Sequence, residues 1–320
     1  MSSRSFLYKG WDDTAAGVRR RPDAPEGLIV TEIGTSTDEF VVTLPGAEGD
    51  GGPGAQLRLS WGAATDTGHR RSANEDSYIA RWPIFAVADG MGGHSAGDLA
   101  SAAVVTRLDE QIPDGFSGQE VVDTALGLAT DDIDEISIGR ELGVGTTVTG
   151  AVVTLHAGDA YFSVFNIGDS RVYQFDHNEL RQVSIDHSLV QEMVDAGLID
   201  REQAENHPES NVITRAVGFG APPVADYWMV PVDVGSRLLV CSDGLTKELS
   251  DERIRVHLAA GLPARQTADD LVAEALAAGG RDNVTTIVLD VVGYMRDSAG
   301  ESSGKTIDES TSPRSGVPAA

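Results

Sequence analysis

At 320 residues with 41% hydrophobic content, the chain holds enough apolar side chain for a substantial core, in one large domain or two ordinary ones. The net charge of −26 is spread along it, residues 57–292 carrying 16 Lys and Arg against 37 Asp and Glu, which argues against nucleic-acid or anionic-membrane partners because both need a basic footprint. A single cysteine, Cys241, excludes a disulfide framework and a thiolate-rich zinc site, and no apolar run approaches the roughly 20 residues of a membrane-spanning helix or follows Met1 as a signal, so a cytoplasmic protein without a membrane partner is expected.

Residues 1–56 combine a basic run, Arg19-Arg20-Arg21, with two apolar stretches, Leu28–Ile33 and Phe40–Leu44, and a Gly-rich segment from Gly46 to Gly54. They read as an N-terminal extension and linker carrying one β-hairpin. From Leu57 the pattern changes: Leu57–Trp61, Ser77–Arg81 and Ile84–Ala88 are strand-like, and Asp98–Ile112 and Gln119–Ile136 have apolar residues at helical spacing. Strands followed by helices predict an α+β layer arrangement. Thr147–Leu155, Ala160–Ile167, Arg171–Phe175 and Leu180–Ser184, separated by short turns, predict an antiparallel meander, since parallel crossovers need a dozen or more residues.

Residues 186–220 are polar and hold one short helix, Leu189–Ala196, as a mobile insertion before the strand Arg237–Cys241. Helices near Asp251–Ala260 and Thr267–Ala278 and a last strand, Val284–Val291, complete the domain. The Ser/Gly/Pro-rich tail, residues 293–320, lacks periodicity and is expected to be disordered.

Four acidic motifs punctuate these elements: Asn74-Glu75-Asp76, Asp89-Gly90-Met91-Gly92-Gly93, Ser242-Asp243-Gly244 and Arg281-Asp282-Asn283. One Asp-Gly pair is ordinarily a turn. Here two apolar runs, Ile84–Ala88 and Leu238–Cys241, both deliver an aspartate into such a pair, which turns alone explain poorly. Clustered carboxylates raise one another's pKa and are stable mainly around cations. Oxygen ligands on strand ends suit magnesium or manganese. The Gly90 carbonyl is a further candidate ligand, and Arg71, four residues before Glu75, has the bidentate fork that grips phosphate.

Arg71–Asp76, Val87–His94, Gly145–Val148, Gly168–Arg171, Asp186-His187, Cys241–Leu245 and Gly279–Val284, taken in order, resemble the motifs of the metal-dependent type 2C serine/threonine protein phosphatases, with the bacterial branch the closer match. The resemblance covers about residues 57–292. It implies a four-layer αββα sandwich of two antiparallel sheets flanked by helices, with two Mn2+ or Mg2+ ions at one edge. It implies hydrolysis of phosphoserine and phosphothreonine on proteins by a hydroxide bridging the ions, with phosphoprotein substrates of a serine/threonine kinase, or the kinase itself, as partners.

By motif position, Asp89 would bridge both ions, Gly90 would offer its carbonyl, Asp243 and Asp282 would complete one ion's protein ligands, and Asp76 and Glu75 would hold metal-bound waters. Asp169 would join Asp243 at a third ion or, with Arg171, pin a turn. Asn283 would orient Asp282 or a ligand water, and residues 186–220 would form a flap. Eukaryotic members place a general-acid histidine where Met91 stands, and a thioether donates no proton. His94 is then a stand-in donor or a packed supporting residue, and a metal-bound water is the other donor. Competing readings are a catalytically weak regulatory binding module, disfavoured by complete Asp89, Asp243 and Asp282, and a nuclease, disfavoured by the acidic surface.

Overall fold

The run Arg237–Cys241 is buried at every position, as expected of a strand covered on both faces. Successive side chains point to opposite sides: Leu238 and Val240 pack with residues of a second sheet, while Leu239 and Cys241 pack with helices. The computed structural model that shows this describes residues 31–45, 55–92, 96–139, 143–205, 207–218 and 224–295.

In chain order these residues form β1 (Glu32–Gly34), β2 (Thr37–Thr43), β3 (Gln56–Asp66), β4 (Asp76–Arg81), β5 (Ile84–Met91), α1 (Gly97–Glu110), α2 (Gln119–Ser137), β6 (Gly145–Thr146), β7 (Val148–His156), β8 (Asp159–Ile167), β9 (Arg171–Asp176) and β10 (Glu179–Gln182). Then follow α3 (Leu189–Asp195), α4 (Arg201–Glu205), β11 (Asp226–Pro231), β12 (Arg237–Cys241), α5 (Asp243–Thr246), α6 (Asp251–Ala259), α7 (Ala264–Ala278) and β13 (Val284–Met295).

One sheet has the order β1-β4-β5-β7-β8-β11, with β6 on β5, and the other β10-β9-β12-β13-β3-β2. Leu59 and Trp61 of β3, Phe85 and Val87 of β5, and Ile287 and Leu289 of β13 fill the space between them. Ile79, Ile84 and Val152 meet Val104, Leu108 and Leu126 of α1 and α2 outside the first sheet. Val284 and Val288 meet Ile254 and Leu271 of α6 and α7 outside the second. Three apolar layers between four layers of structure make an αββα sandwich.

Four details differ from the sequence-based expectation. β1 and β2 do not form a hairpin: β1 pairs parallel with β4, and β2 pairs antiparallel with β3 in the other sheet. Residues 32–43 thus belong to the sandwich, and the sheets are antiparallel except at β1–β4 among the described residues. Trp61 holds the crossing, its Nε1 donating to Thr35 O at 2.9 Å and Ala80 O at 3.1 Å. Gly34 sits at φ +91°, where a β-carbon would stand 2.2 Å from Ala80 O.

β11, an aromatic run at a sheet edge, was not anticipated. β13 continues through Met295, which pairs with Gln56, so residues 293–295 belong to the sheet and not to a tail. The Gly-rich linker and residues 296–320 lie outside the described residues. Among the described residues no helix is long and apolar enough to cross a membrane.

Candidate metal centre

β4 begins with Asp76 and β5 runs out into Asp89, and the two residues are direct partners across the antiparallel pair. Like charges set opposite one another destabilise a sheet, so this pair answers a demand other than strand pairing. In the second sheet β12 ends at Cys241 and passes through Ser242 into Asp243, while its partner β13 starts just after Asp282 and Asn283. Strand ends from both sheets thus carry the carboxylates.

Hydroxyl groups bind the two halves together. Asp76, fully buried, accepts at Oδ2 from Ser242 Oγ (2.8 Å) and Thr285 Oγ1 (2.7 Å). Because Thr285 gives its proton to Asp76, Thr65 must donate to Thr285 (2.7 Å), and Thr65 in turn accepts from Asn74 Nδ2 (2.8 Å). Asp76 Oδ1 and Asp243 Oδ1 are buried without any partner. Buried polar atoms of this kind are rare and call for an ion or water.

Asp89 is fixed through its backbone. Its N–H donates to Thr147 Oγ1 at 3.2 Å, and its carbonyl accepts from Thr147 N (2.9 Å) and Thr146 Oγ1 (2.9 Å). Thr146 and Thr147 thus hold the Asp89 backbone from the neighbouring strand. At Gly90 a β-carbon would fall 2.0 Å from Gly97 O and 2.7 Å from Glu75 O, so glycine is what lets α1 and the Glu75 loop close on this turn.

Burial pushes the Asp89 carboxyl far above the usual range, and Asp76, Asp243, Asp169 and Asp282 each push it further. Burial likewise raises Asp76 to about 7, with Asp243 and Asp282 adding to it against the two hydroxyl donors. Asp169 rises to about 7 through burial and Asp243, and Glu75 rises through burial and the neighbouring Asp98. Two basic groups answer this charge. Arg71 grips Asp282 with both branches of its fork, Nε to Oδ1 at 2.7 Å and Nη2 to Oδ2 at 2.9 Å. Lys247, which the sequence reading did not single out, pairs with Asp243 and reaches Asp282 Oδ2 at 3.4 Å. With these side chains in place, no group of three or more carboxylate, imidazole or thiol side chains stands ready-made to hold an ion among the described residues.

Asn283 contacts both Asp282 and the loop before β4. Its backbone N–H donates to Asp282 Oδ1 (2.9 Å), and its buried side chain ties down the loop before β4. After the Gly168–Arg171 turn, Arg171 holds both carboxylate oxygens of Asp186 (Nε to Oδ1 3.0 Å, Nη2 to Oδ2 2.7 Å). His187 Nδ1 accepts from Gly168 N at 3.1 Å, so Nε2 carries the proton shared with Asp226. His94 lies outside the described residues.

The residues present fit hard divalent cations. The donors are all oxygen, two buried carboxylate oxygens lack partners, and the mutual repulsion of the aspartates is of the kind that cations relieve.

A sequence profile described as protein phosphatase 2C matches residues 67–278. The chain is 34% identical over 239 residues to the serine/threonine phosphatase stp of Listeria monocytogenes, spanning 71% of this chain and 93% of that protein. The crystal structure of the Mycobacterium tuberculosis serine/threonine phosphatase PstP/Ppp superposes with a TM-score of 0.68 at 36% identity, covering 73% of this chain and 99% of that one. The catalytic domain of PstP in complex with two manganese ions superposes with a TM-score of 0.64 at 36% identity, with the same coverage.

Proposed function

The chain belongs to the protein phosphatase 2C family, and we propose that Asp89, Gly90, Asp243 and Asp282 hold the two manganese or magnesium ions with which it hydrolyses phosphoserine and phosphothreonine on proteins. When bound, such ions supply an activated water and offset the negative charge of the phosphoryl group. Asp89 would serve both ions from its rigid strand end, and the Gly90 carbonyl would add an oxygen where no side chain fits. Asp76, with Oδ2 saturated by hydroxyl donors and Oδ1 unpartnered, would orient a water, and so would Glu75. Asp169 would take part in a third ion site with Asp243.

The Arg71 guanidinium, half exposed beside Asp282, would orient the incoming phosphate and share its charge, which is positioning and electrostatic stabilisation. Asn283 would keep the Glu75 loop in register. Met91 supplies no proton to the leaving serine or threonine, so the donor would be His94 or a metal-bound water.

The observation that carries this reading is the pair of buried, unpartnered oxygens, Asp76 Oδ1 and Asp243 Oδ1, inside a ring of mutually repelling aspartates. The substrates in this reading are proteins phosphorylated by a serine/threonine kinase, or that kinase, in the cytoplasm. Arg171 and His187 tether the flap base beside Asp169, which supports access to the centre from that side.

The test is hydrolysis of p-nitrophenyl phosphate and of a phosphothreonine peptide with manganese, with EDTA, and by Asp243→Asn in manganese. Turnover lost in both controls is expected. No turnover with any divalent ion would favour a regulatory binding module on the same fold.

A further inference from the structure

Asp243 opens α5, and Lys247 follows four residues later, so one helical turn brings the lysine back over the aspartate. Its backbone is held from two sides: Lys247 N donates to Asp243 O at 2.8 Å, and Lys247 O accepts from Arg281 Nη2 at 2.7 Å. Only the four-carbon stem is free to swing. The ammonium pairs with Asp243 Oδ2 and stands 3.4 Å from Asp282 Oδ2. It therefore faces two of the carboxylates assigned above to metal.

An ammonium on the Oδ2 atoms of Asp243 and Asp282 and a divalent ion on the same carboxylates are like charges a few ångströms apart, which repel strongly in a partly dry site. We propose that Lys247 is a tethered cation that competes with a divalent ion for Asp243 and Asp282 and so sets how tightly the centre holds its metal. At low divalent concentration the lysine neutralises the aspartate ring and preserves the fold. A bound divalent ion would have to displace the ammonium or bear its repulsion, so loading would require a higher free-ion concentration than the aspartates alone would need. The inference rests on the metal-centre reading of Asp243 and Asp282.

The experiment is calorimetric titration of the full chain with MnCl2 at one pH and ionic strength, for the wild type, Lys247→Met, Lys247→Gln, Lys247→Arg and Asp243→Asn, with melting temperatures in EDTA. The neutral variants are expected to bind manganese at least about tenfold tighter and to melt lower in EDTA, since one nearby charge is worth that much. Lys247→Arg, which keeps the charge, is expected to bind within about threefold of the wild type. Neutral variants that bind no tighter than the wild type, or an arginine variant that tightens as they do, would overturn the proposal. If Asp243→Asn binds manganese as the wild type does, the metal-centre reading itself fails and takes the proposal with it.

Discussion

Asn283 holds Glu75 by its backbone: the Glu75 N–H donates to Asn283 Oδ1 at 2.9 Å, while Asn283 Nδ2 donates to Thr67 O (2.9 Å) and Ala73 O (2.8 Å). One amide at the start of β13 thereby fixes the loop that leads into Glu75 and Asp76. Asn283→Ala leaves one donor and two carbonyls short of a partner at a site only 4% exposed. It is expected to cost about 2–4 kcal/mol in urea unfolding and to weaken manganese binding. A loss below about 1 kcal/mol would show that the loop is held elsewhere.

Two glycine substitutions should behave oppositely. Gly90→Ala forces a β-carbon against the backbone of Gly97 and Glu75, and backbone cannot yield as a flexible side chain does. The variant should lose at least about 3 kcal/mol or fail to fold. At Gly127, in the middle of α2, a β-carbon meets nothing within 4 Å, so Gly127→Ala should gain about 0.5–1 kcal/mol from helix propensity. Equal effects at the two positions would contradict the close approach of α1 to the Asp89-Gly90 turn.

Without metal, stability should fall as pH rises. Asp76 and Asp169 titrate near 7 in the folded chain against 3.8 for the free side chain, because burial and neighbouring carboxylates disfavour their charge. Between these values the native state retains protons that the unfolded chain has released, so raising pH stabilises the unfolded state. In EDTA the melting temperature should therefore be higher at pH 5 than at pH 8. Manganese, which needs the ionised carboxylates, should shrink or reverse this slope. A melting temperature in EDTA that climbs from pH 5 to pH 8 would refute the assignment.

Arg171 is committed to Asp186. Asp186 is nearly buried, and its donors in the structure are Arg171 and Gln182 Nε2 at 2.8 Å. Arg171→Met leaves this carboxylate with Gln182 alone and no counter-charge, and should cost about 3 kcal/mol, the usual penalty for breaking a buried pair. Arg171→Lys should recover only part of it, since an ammonium cannot make the bidentate contact. Full recovery by lysine would mean that charge alone matters there.

Local pattern was enough for much of this fold. Runs such as Ile84–Ala88 and Leu238–Cys241, and the helical spacing of Asp98–Ile112 and Gln119–Ile136, announced their elements because side-chain period follows backbone geometry. The Asp-Gly endings marked where carboxylates would leave the strands, and the ordered motifs carried the expectation of family and metal. What periodicity cannot report is the partner of each strand. β1 and β2, two residues apart, enter different sheets, a choice made by Trp61 and by the edges of β4 and β3. β11 carries strand composition in Tyr227-Trp228-Met229-Val230 but escapes pattern reading, because an unalternating run between prolines lacks the period-two signal.

The sequence by itself determined which residues are acidic, which elements deliver them, and which family pattern they follow. Only the tertiary structure decided that Asp76 accepts from Ser242 and Thr285 of the opposite sheet, that Asn283 fastens the loop before β4, and that Lys247 faces Asp243 and Asp282. Apart from the Lys247–Asp243 pair on one helical turn, these contacts join residues far apart in the chain. They depend on how two sheets pack, and packing of distant segments leaves no periodic trace in either one.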